Sequence, residues 1–182
     1  MPVASPPLLE GLPPLVSPAT EVLVLGSFPG AASLATRQYY GHPQNHFWKI
    51  LRALWPASAE LSPASDYATR CRALLAHRLG VWDVYARCER AGSLDSAIRN
   101  AEMNDFAALR RLCPGLRAVA HNGGESYRHA PRVAEALGVA GALPIHKLPS
   151  TSPANASWSF AKKLAAWRAV FAQHGLVTAG AA

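Results

Sequence analysis

The sequence predicts a single α/β domain of three layers, with helices on both faces of a central four-stranded, mostly parallel sheet. Three observations carry this. The chain has 182 residues, half of them hydrophobic, which is most simply one domain with a substantial core. Short apolar runs alternate along it with segments of helical period, the pattern of a parallel sheet covered on both sides. The stretches that follow the apolar runs are rich in Gly, Pro, Ser and Asn, the residues of tight loops.

Residues 1–20, MPVASPPLLEGLPPLVSPAT, carry six prolines and read as a flexible or extended arm. The folded domain is expected over 21–174, and the tail 175–182, GLVTAGAA, is expected to fray. EVLVLG is a short buried strand ending at Gly26. Trp48 to Trp55 continues a helix, with Phe47, Ile50, Leu51, Leu54 and Trp55 at core spacing. Asp66 to Leu79 is a second helix, built on Tyr67, Cys71, Leu74 and Leu75 and stopped at Gly80. GVWDVY is the second strand. Asn104 is placed to cap a helix through Leu112, which Pro114 stops. LRAVAHN is the third strand, ESYRHAPRVAEALG a helix interrupted or restarted at Pro131, and ALPIHKL the fourth strand. SWSFAKKLAAWRAVFAQHG closes the domain as an amphipathic helix, with Trp158, Phe160, Trp167 and Phe171 read as core.

Composition excludes several classes. No apolar run reaches the roughly 20 residues of a membrane span, and the N-terminus lacks the basic and apolar regions of a signal peptide. A cytoplasmic protein with no membrane partner is the expectation. The three cysteines are widely spaced with no CxxC pair, which speaks for free thiols and against a structural metal or cluster. No metal and no cofactor are expected. The net charge of +7, with pI near 9.8, suits a polyanionic partner such as nucleic acid, although many basic proteins bind none.

In parallel sheets ligands sit beyond the carboxyl ends of the strands. The sequences there are GSFPG (26–30), DVYARC (83–88), NGG (122–124) and PSTSP (149–153), so one pocket bordered by all four is expected. A further stretch, YYGHPQNHFWKI, sets His42, Gln44, Asn45 and His46 at the mouth of an otherwise apolar helix. Pro43 suits the first helical position, where its missing N–H goes unused. Asn45 then falls in the first turn, where free amides and the positive helix end favour an electron-rich ligand, or it is simply a solvated helix start. Tyr39 and Tyr40 beside it offer faces for a flat ring.

LGSFPG, QYYGHPQNHFWKI, HNGG and LPSTSPAN, in this order and spacing, resemble the uracil-DNA glycosylase superfamily over about residues 21–173. They are similar to its mismatch-specific branch and closest to its hypoxanthine-DNA glycosylase family. The resemblance implies that Gly26, Ser27, Phe28 and Pro29 border a base pocket, and that Tyr39 or Tyr40 stacks on a flipped base. It assigns catalysis chiefly to Asn45, with Ser27, and base contact to Asp83, which stands where relatives read the base edge with an Asn. Asn122 is placed to reach the pocket or to cap the next helix. Ser150, Thr151, Ser152, Pro153 and Asn155 would grip DNA beside the flipped nucleotide. Two departures stand out. Phe28 replaces a water-positioning Asn of mismatch-specific relatives, and Leu148 replaces a His that begins the last motif in other branches. No Lys lies in the motifs, so no Schiff-base lyase step is implied.

The implied protein is a monomeric, monofunctional glycosylase acting on DNA that contains a deaminated base, hypoxanthine first, with uracil or xanthine as further substrates. The alternatives are a catalytically silent nucleic-acid-binding module of the same fold and a uracil- or mismatch-specific enzyme. A small-molecule nucleotide binder has only fold-level support, since GxGxxG and GxxxxGK[ST] are absent. His42 and His46 are candidate proton donors to a purine, or capping and structural groups. His121 reads as structural, and Asp83 as a base reader or a buried hydrogen-bonding hub. Arg110, Arg111, Lys162 and Lys163 read as solvated faces.

Overall fold

The computed structural model describes residues 6–178. Apolar runs without polar alternation are satisfied only when both sheet faces are covered, and the strands obey this: Val22 to Leu25, Val81 and Ala118 to Ala120 are fully buried. In chain order the elements are β1 (Leu8–Glu10), β2 (Val22–Gly26), α1 (Ala31–Thr36), α2 (Phe47–Leu54), α3 (Tyr67–Ala76), β3 (Leu79–Asp83), β4 (Tyr85–Glu89), β5 (Arg99–Met103), α4 (Phe106–Leu112), β6 (Ala118–Asn122), α5 (Gly124–Tyr127), α6 (Ala130–Ala136), β7 (Ile145–Leu148) and α7 (Phe160–Gln173).

The central sheet has four strands in the order β3-β2-β6-β7, every neighbouring pair parallel. Helix α2 packs on α7, and α4 on α6. Trp167 and Phe171 of α7 are fully buried, and Phe47, Ile50 and Leu51 of α2 are buried with them, which is the apolar spacing the sequence displays. Asp66 and Ser159 cap α3 and α7 through their side-chain oxygens.

Several expectations change. The proline-rich segment is extended but not free over its described part. β1 pairs antiparallel with β4, Leu15 bridges to Val81, and Leu12 is buried. Its leucines supply apolar surface that the neighbouring strands cover, so the prolines shape the path without releasing the chain. Residues 1–5 lie outside the described residues. At the other end, Leu176 is buried and its carbonyl accepts the Trp55 indole N–H at 3.1 Å, so the expected fraying does not begin at 175. Residues 179–182 lie outside the described part.

A second, three-stranded sheet of order β1-β4-β5 was not foreseen. The run GVWDVY is split, with β3 ending at Asp83 and β4 starting at Tyr85 in this other sheet. Pro43 is not the first helical residue: α2 starts at Phe47, and Pro43 sits in a preceding turn. Asp105, not Asn104, caps α4, because the Asn104 amide is bonded to the Asp83 carbonyl at 2.9 Å. Trp158 is exposed rather than core, and Lys163 is buried rather than solvated.

Candidate active site

The loops beyond β2, β6 and β7 meet around one cleft of about 960 Å³ with Asp83 at the end of β3 and residues 93–96. Of the expected DVYARC run only Asp83 reaches it, because Tyr85 onward belongs to the other sheet. Gly26 and Ser152 both line the cleft, together with Asp83, Asn45, Tyr40 and Asn122. A sheet whose strands all point the same way brings these loops to one edge, and that is the link between sequence order and site.

Gly26 forms part of the floor. A methyl group there would collide with Asp83 Oδ1 and would lie 3.6 Å from the Tyr40 hydroxyl, so only glycine lets the two side chains converge over the backbone. Ser27 gives its hydroxyl to Asp95 Oδ1 at 2.6 Å. The Phe28 ring is buried, with the Arg90 guanidinium 5.1 Å from its centroid, and the Pro29 carbonyl accepts from Arg90 Nη2 at 2.6 Å. The first motif is thus held from behind by a buried arginine.

Asp83 is 4% exposed, and its Oδ2 has no hydrogen-bond partner among the described residues. Burial pushes its carboxyl up to about 7, with Asp95 adding to the rise and Arg90 opposing it.

The two tyrosines separate. Tyr39 is buried and gives its hydroxyl to the Pro13 carbonyl at 2.8 Å, while its own carbonyl accepts the Trp48 indole N–H. It ties the N-terminal segment to α2. Tyr40 is half-buried with φ +54°, a conformation that costs an aromatic residue free energy and that the surroundings must impose. Its ring stacks on Phe47 with centroids 4.0 Å apart, and its hydroxyl accepts from Asn122 Nδ2 at 3.2 Å. Of the two, Tyr40 has the ring placed to serve as a stacking surface.

Asn45 lies two residues before α2, not in its first turn. Its Oδ1 accepts from the Phe47 amide at 2.9 Å, which fixes the plane of the side chain and the identity of its two ends. The amide nitrogen bonds to no described residue, and Asn45 lines the cleft. His42 is exposed on the rim, and its Nδ1 accepts from the Gln44 amide at 3.1 Å, so the neutral ring carries its proton on Nε2. His46 packs edge-on to Phe160, and burial, Lys163 and Lys49 lower its affinity for a proton. It does not line the cleft.

The loop after β7 is clamped rather than loose. Thr151 is buried, donates its amide to Asn122 Oδ1 at 2.9 Å and accepts the His46 amide on its carbonyl at 3.0 Å. Its amide and carbonyl are thus occupied within the protein, and it also lines the cleft. Ser150 and Ser152 accept the amides of Ser152 and Ala154 on their hydroxyls, and the Asn155 amide reaches the Ser150 carbonyl. Ser150, Ser152, Pro153 and Asn155 all line the cleft. Gly123, at φ +104°, lets Ser150 pack against its Cα, and any side chain there would press on the Ser150 Cβ. Lys163 lies beneath, its ammonium 3.4 Å from the Ser152 carbonyl. His121 is locked by Ser126 at 2.7 Å, and burial lowers it to about 4, so it stays neutral and structural.

The sequence reading missed the 91–98 loop. Ser93 accepts the Ala31 amide, Asp95 holds Ser27, and Leu94 is exposed on the cleft wall, as is Trp158 from another loop. Gly92-Ser93 has the composition of a turn, but nothing local ties it to residues more than sixty positions away. No group of three or more His, Cys, Asp or Glu side chains gathers as a metal site among the described residues. No helix among them is long and apolar enough to cross a membrane.

Known proteins resemble this chain in sequence and in fold. A family model of the uracil DNA glycosylase superfamily matches residues 13–171. A hypoxanthine DNA glycosylase of Methanosarcina acetivorans is 35% identical over 162 residues, covering 89% of this chain and 97% of that protein. The hypoxanthine DNA glycosylase of Methanosarcina barkeri is 38% identical over 122 residues, 67% of this chain and 75% of the relative. The solution NMR structure of a Methanosarcina acetivorans protein of uracil DNA glycosylase type superposes with a TM-score of 0.76 at 32% identity, over 91% of this chain and 98% of the other.

Proposed function

The chain belongs to the uracil DNA glycosylase superfamily, and on that footing we propose that it is a monofunctional DNA glycosylase that removes hypoxanthine in preference to uracil. The observation that carries the reading is the convergence of Asn45, Tyr40 and Asp83 on one cleft above Gly26. The preference for hypoxanthine is supported by the names of the two Methanosarcina relatives and by Phe28 standing in the first motif.

A duplex hides the glycosidic bond, so the nucleotide must be flipped and its base buried. Tyr40, braced from below by Phe47, offers the ring face for that base. Breaking the bond puts positive charge on the sugar and negative charge on the departing base. The Asn45 amide, held by the Phe47 N–H, keeps a lone pair on Oδ1 and its whole NH₂ group for the cleft. The oxygen positions the attacking water, and the NH₂ group is a preorganised donor, a kind worth roughly 3–4 kcal/mol in transition-state stabilisation. Ser27 keeps Asp95 in place through its hydroxyl, which makes it a positioning residue. A purine also accepts a hydrogen bond on its five-membered ring, and His42 Nε2–H at the rim is the group available to donate it. Ser150, Ser152, Pro153 and Asn155 hold the strand beside the flipped nucleotide, on a protein that acts as a monomer.

One panel of oligonucleotides tests this. Duplex and single-stranded DNA carrying hypoxanthine, uracil, xanthine or a normal base is incubated with the protein and cleaved with alkali. Hypoxanthine-dependent strand breaks are expected. Binding without breaks on every substrate would leave a silent DNA-binding module, and faster uracil release would overturn the hypoxanthine preference.

A further inference from the structure

Asp83 is a carboxyl enclosed at the floor of the cleft, and among the described residues only Arg90 favours its charged form. It is 4% exposed, Oδ2 has no hydrogen-bond partner, and Asp83 takes part in none of the ion pairs among the described residues. Oδ1 faces the Cα of Gly26, close to the Tyr40 hydroxyl. The charged and titratable groups around it come from three segments. Arg90, after β4, is occupied by the Pro29 carbonyl and the Phe28 ring. Asp95, in the following loop, brings a second negative charge, and Tyr39 and Tyr40 approach from the segment before α2. An isolated carboxylate in such a place is costly, and the group takes up a proton instead. Burial pushes it up to about 7 even with Arg90 opposing, and a base stacked over it removes the remaining water.

We propose that Asp83 works as the neutral carboxylic acid, donating its O–H to the keto oxygen of the flipped base as negative charge builds there. This rests on the reading of the protein as a glycosylase of deaminated bases. The C1′–N bond breaks with its electron pair leaving on the base, water supplies the new C1′–O bond, and a proton from that water ends on the released base. The Asp83 proton stays on Asp83, so the residue is unchanged by the cycle.

Two arguments favour the neutral form. A carboxylate beside the departing anion would raise the barrier, whereas an O–H aimed at its oxygen acts as an oxyanion donor. Deamination also replaces an amino group by a keto oxygen at the same position of the base. An O–H donor matches hypoxanthine and uracil there, and the ionised form would match the amino group of adenine or cytosine instead. The neutral carboxyl therefore presents the donor that an asparagine amide would, which explains why an acid can occupy a position where a base-reading Asn would serve.

The test is the pH dependence of single-turnover hypoxanthine release at saturating protein, from pH 5.5 to 9.5, for wild type and Asp83→Asn. The expected wild-type rate is level at low pH and falls by about tenfold per pH unit once the acid ionises at or above neutrality. Asp83→Asn keeps activity within about tenfold of wild type at pH 6 and loses that alkaline limb, because an amide has no proton to lose. Binding to abasic product DNA across the same range separates chemistry from affinity and confirms that the variant is folded. If the variant fails to fold, the carboxyl ¹³C shift of Asp-labelled wild-type protein bound to abasic DNA decides: Asp83 must titrate with the midpoint of the rate. A wild-type rate that rises through neutrality, an alkaline limb that persists in Asp83→Asn, or a folded variant that releases no base would each overturn the proposal and leave the glycosylase reading standing. Failure to release any base at any pH would overturn both.

Discussion

The side-chain amide of Asn122 is bonded at both ends to Thr151: Oδ1 accepts the Thr151 backbone N–H at 2.9 Å, and Nδ2 donates to Thr151 Oγ1 at 2.9 Å. Both residues are buried, so this clamp joins the end of β6 to the loop after β7 without help from water. The same Nδ2 also reaches the Tyr40 hydroxyl. Asn122 thus sets the spacing of the DNA-facing loop and the stacking ring, and it does not cap the helix that follows it. Asn122→Ala strands a buried amide and hydroxyl, and a loss of about 2–3 kcal/mol in unfolding free energy is expected from denaturant titration. Both DNA affinity and base release should fall, since both surfaces depend on the clamp. A stability change below about 0.5 kcal/mol would mean that the loop holds itself.

Asn45→Ala should act on chemistry and spare binding, because Asn45 lines the cleft and is assigned to the transition state. Base release in single turnover should drop by at least about 100-fold, with affinity for lesion DNA changed by less than about threefold. Loss of the hydrogen bond from the Phe47 amide to Asn45 costs about 1 kcal/mol, which a melting curve resolves separately. An unchanged rate would reduce Asn45 to a helix-entry residue.

Phe28→Asn should raise uracil release relative to hypoxanthine release, by restoring a water-positioning amide to the first motif. The ring it replaces is buried against the Arg90 guanidinium, so the variant should also lose roughly 3 kcal/mol of stability from the cavity and the exposed cation. Paired rates on the two lesions at a temperature well below melting give the ratio. A ratio equal to that of wild type would show that Phe28 does not set the preference.

Stability should carry the signature of Asp83. Its carboxyl has an ordinary value of 3.8 when free and about 7 in the folded protein, so the folded state binds the extra proton between those values. The group's contribution is complete below the lower value and is lost as pH rises through the upper one, leaving a penalty of up to about 4 kcal/mol in alkaline solution. Asp83→Asn carries no such penalty. The difference in melting temperature, variant minus wild type, should therefore grow from pH 5 to pH 8.5. A difference that is flat with pH would mean that Asp83 is as easily ionised in the fold as in the free chain.

Affinity for undamaged duplex should fall steeply with salt, because the +7 charge acts through phosphates and released counterions. A titration series between about 50 and 200 mM salt measures the slope, and a flat response would mean that the charge is not used on DNA.

The sequence by itself determined the parallel sheet, since four apolar runs without polar alternation have no other way to cover both faces. It also determined where the site would lie, because such a sheet sends its connecting loops to one edge, and the motifs GSFPG, NHFWK, HNGG and PSTSP all map to that edge. What only the tertiary structure decided were the relations between residues far apart in the chain. Tyr39 and Tyr40 are adjacent and chemically alike, yet one hydroxyl is given to the Pro13 carbonyl and the other ring lies on Phe47. Thr151 and Ser152 share a motif and both line the cleft, yet only Thr151 is buried and bonded to Asn122. Asp83 reads as a base reader or a buried hub, but its raised affinity for a proton follows only from burial and from Asp95 folded near it. The β1-β4-β5 sheet, Arg90 behind Phe28 and Asp95 on Ser27 left no local mark. Periodicity records what each residue needs from solvent, one segment at a time, whereas partnership between polar groups depends on long-range packing that no short window contains.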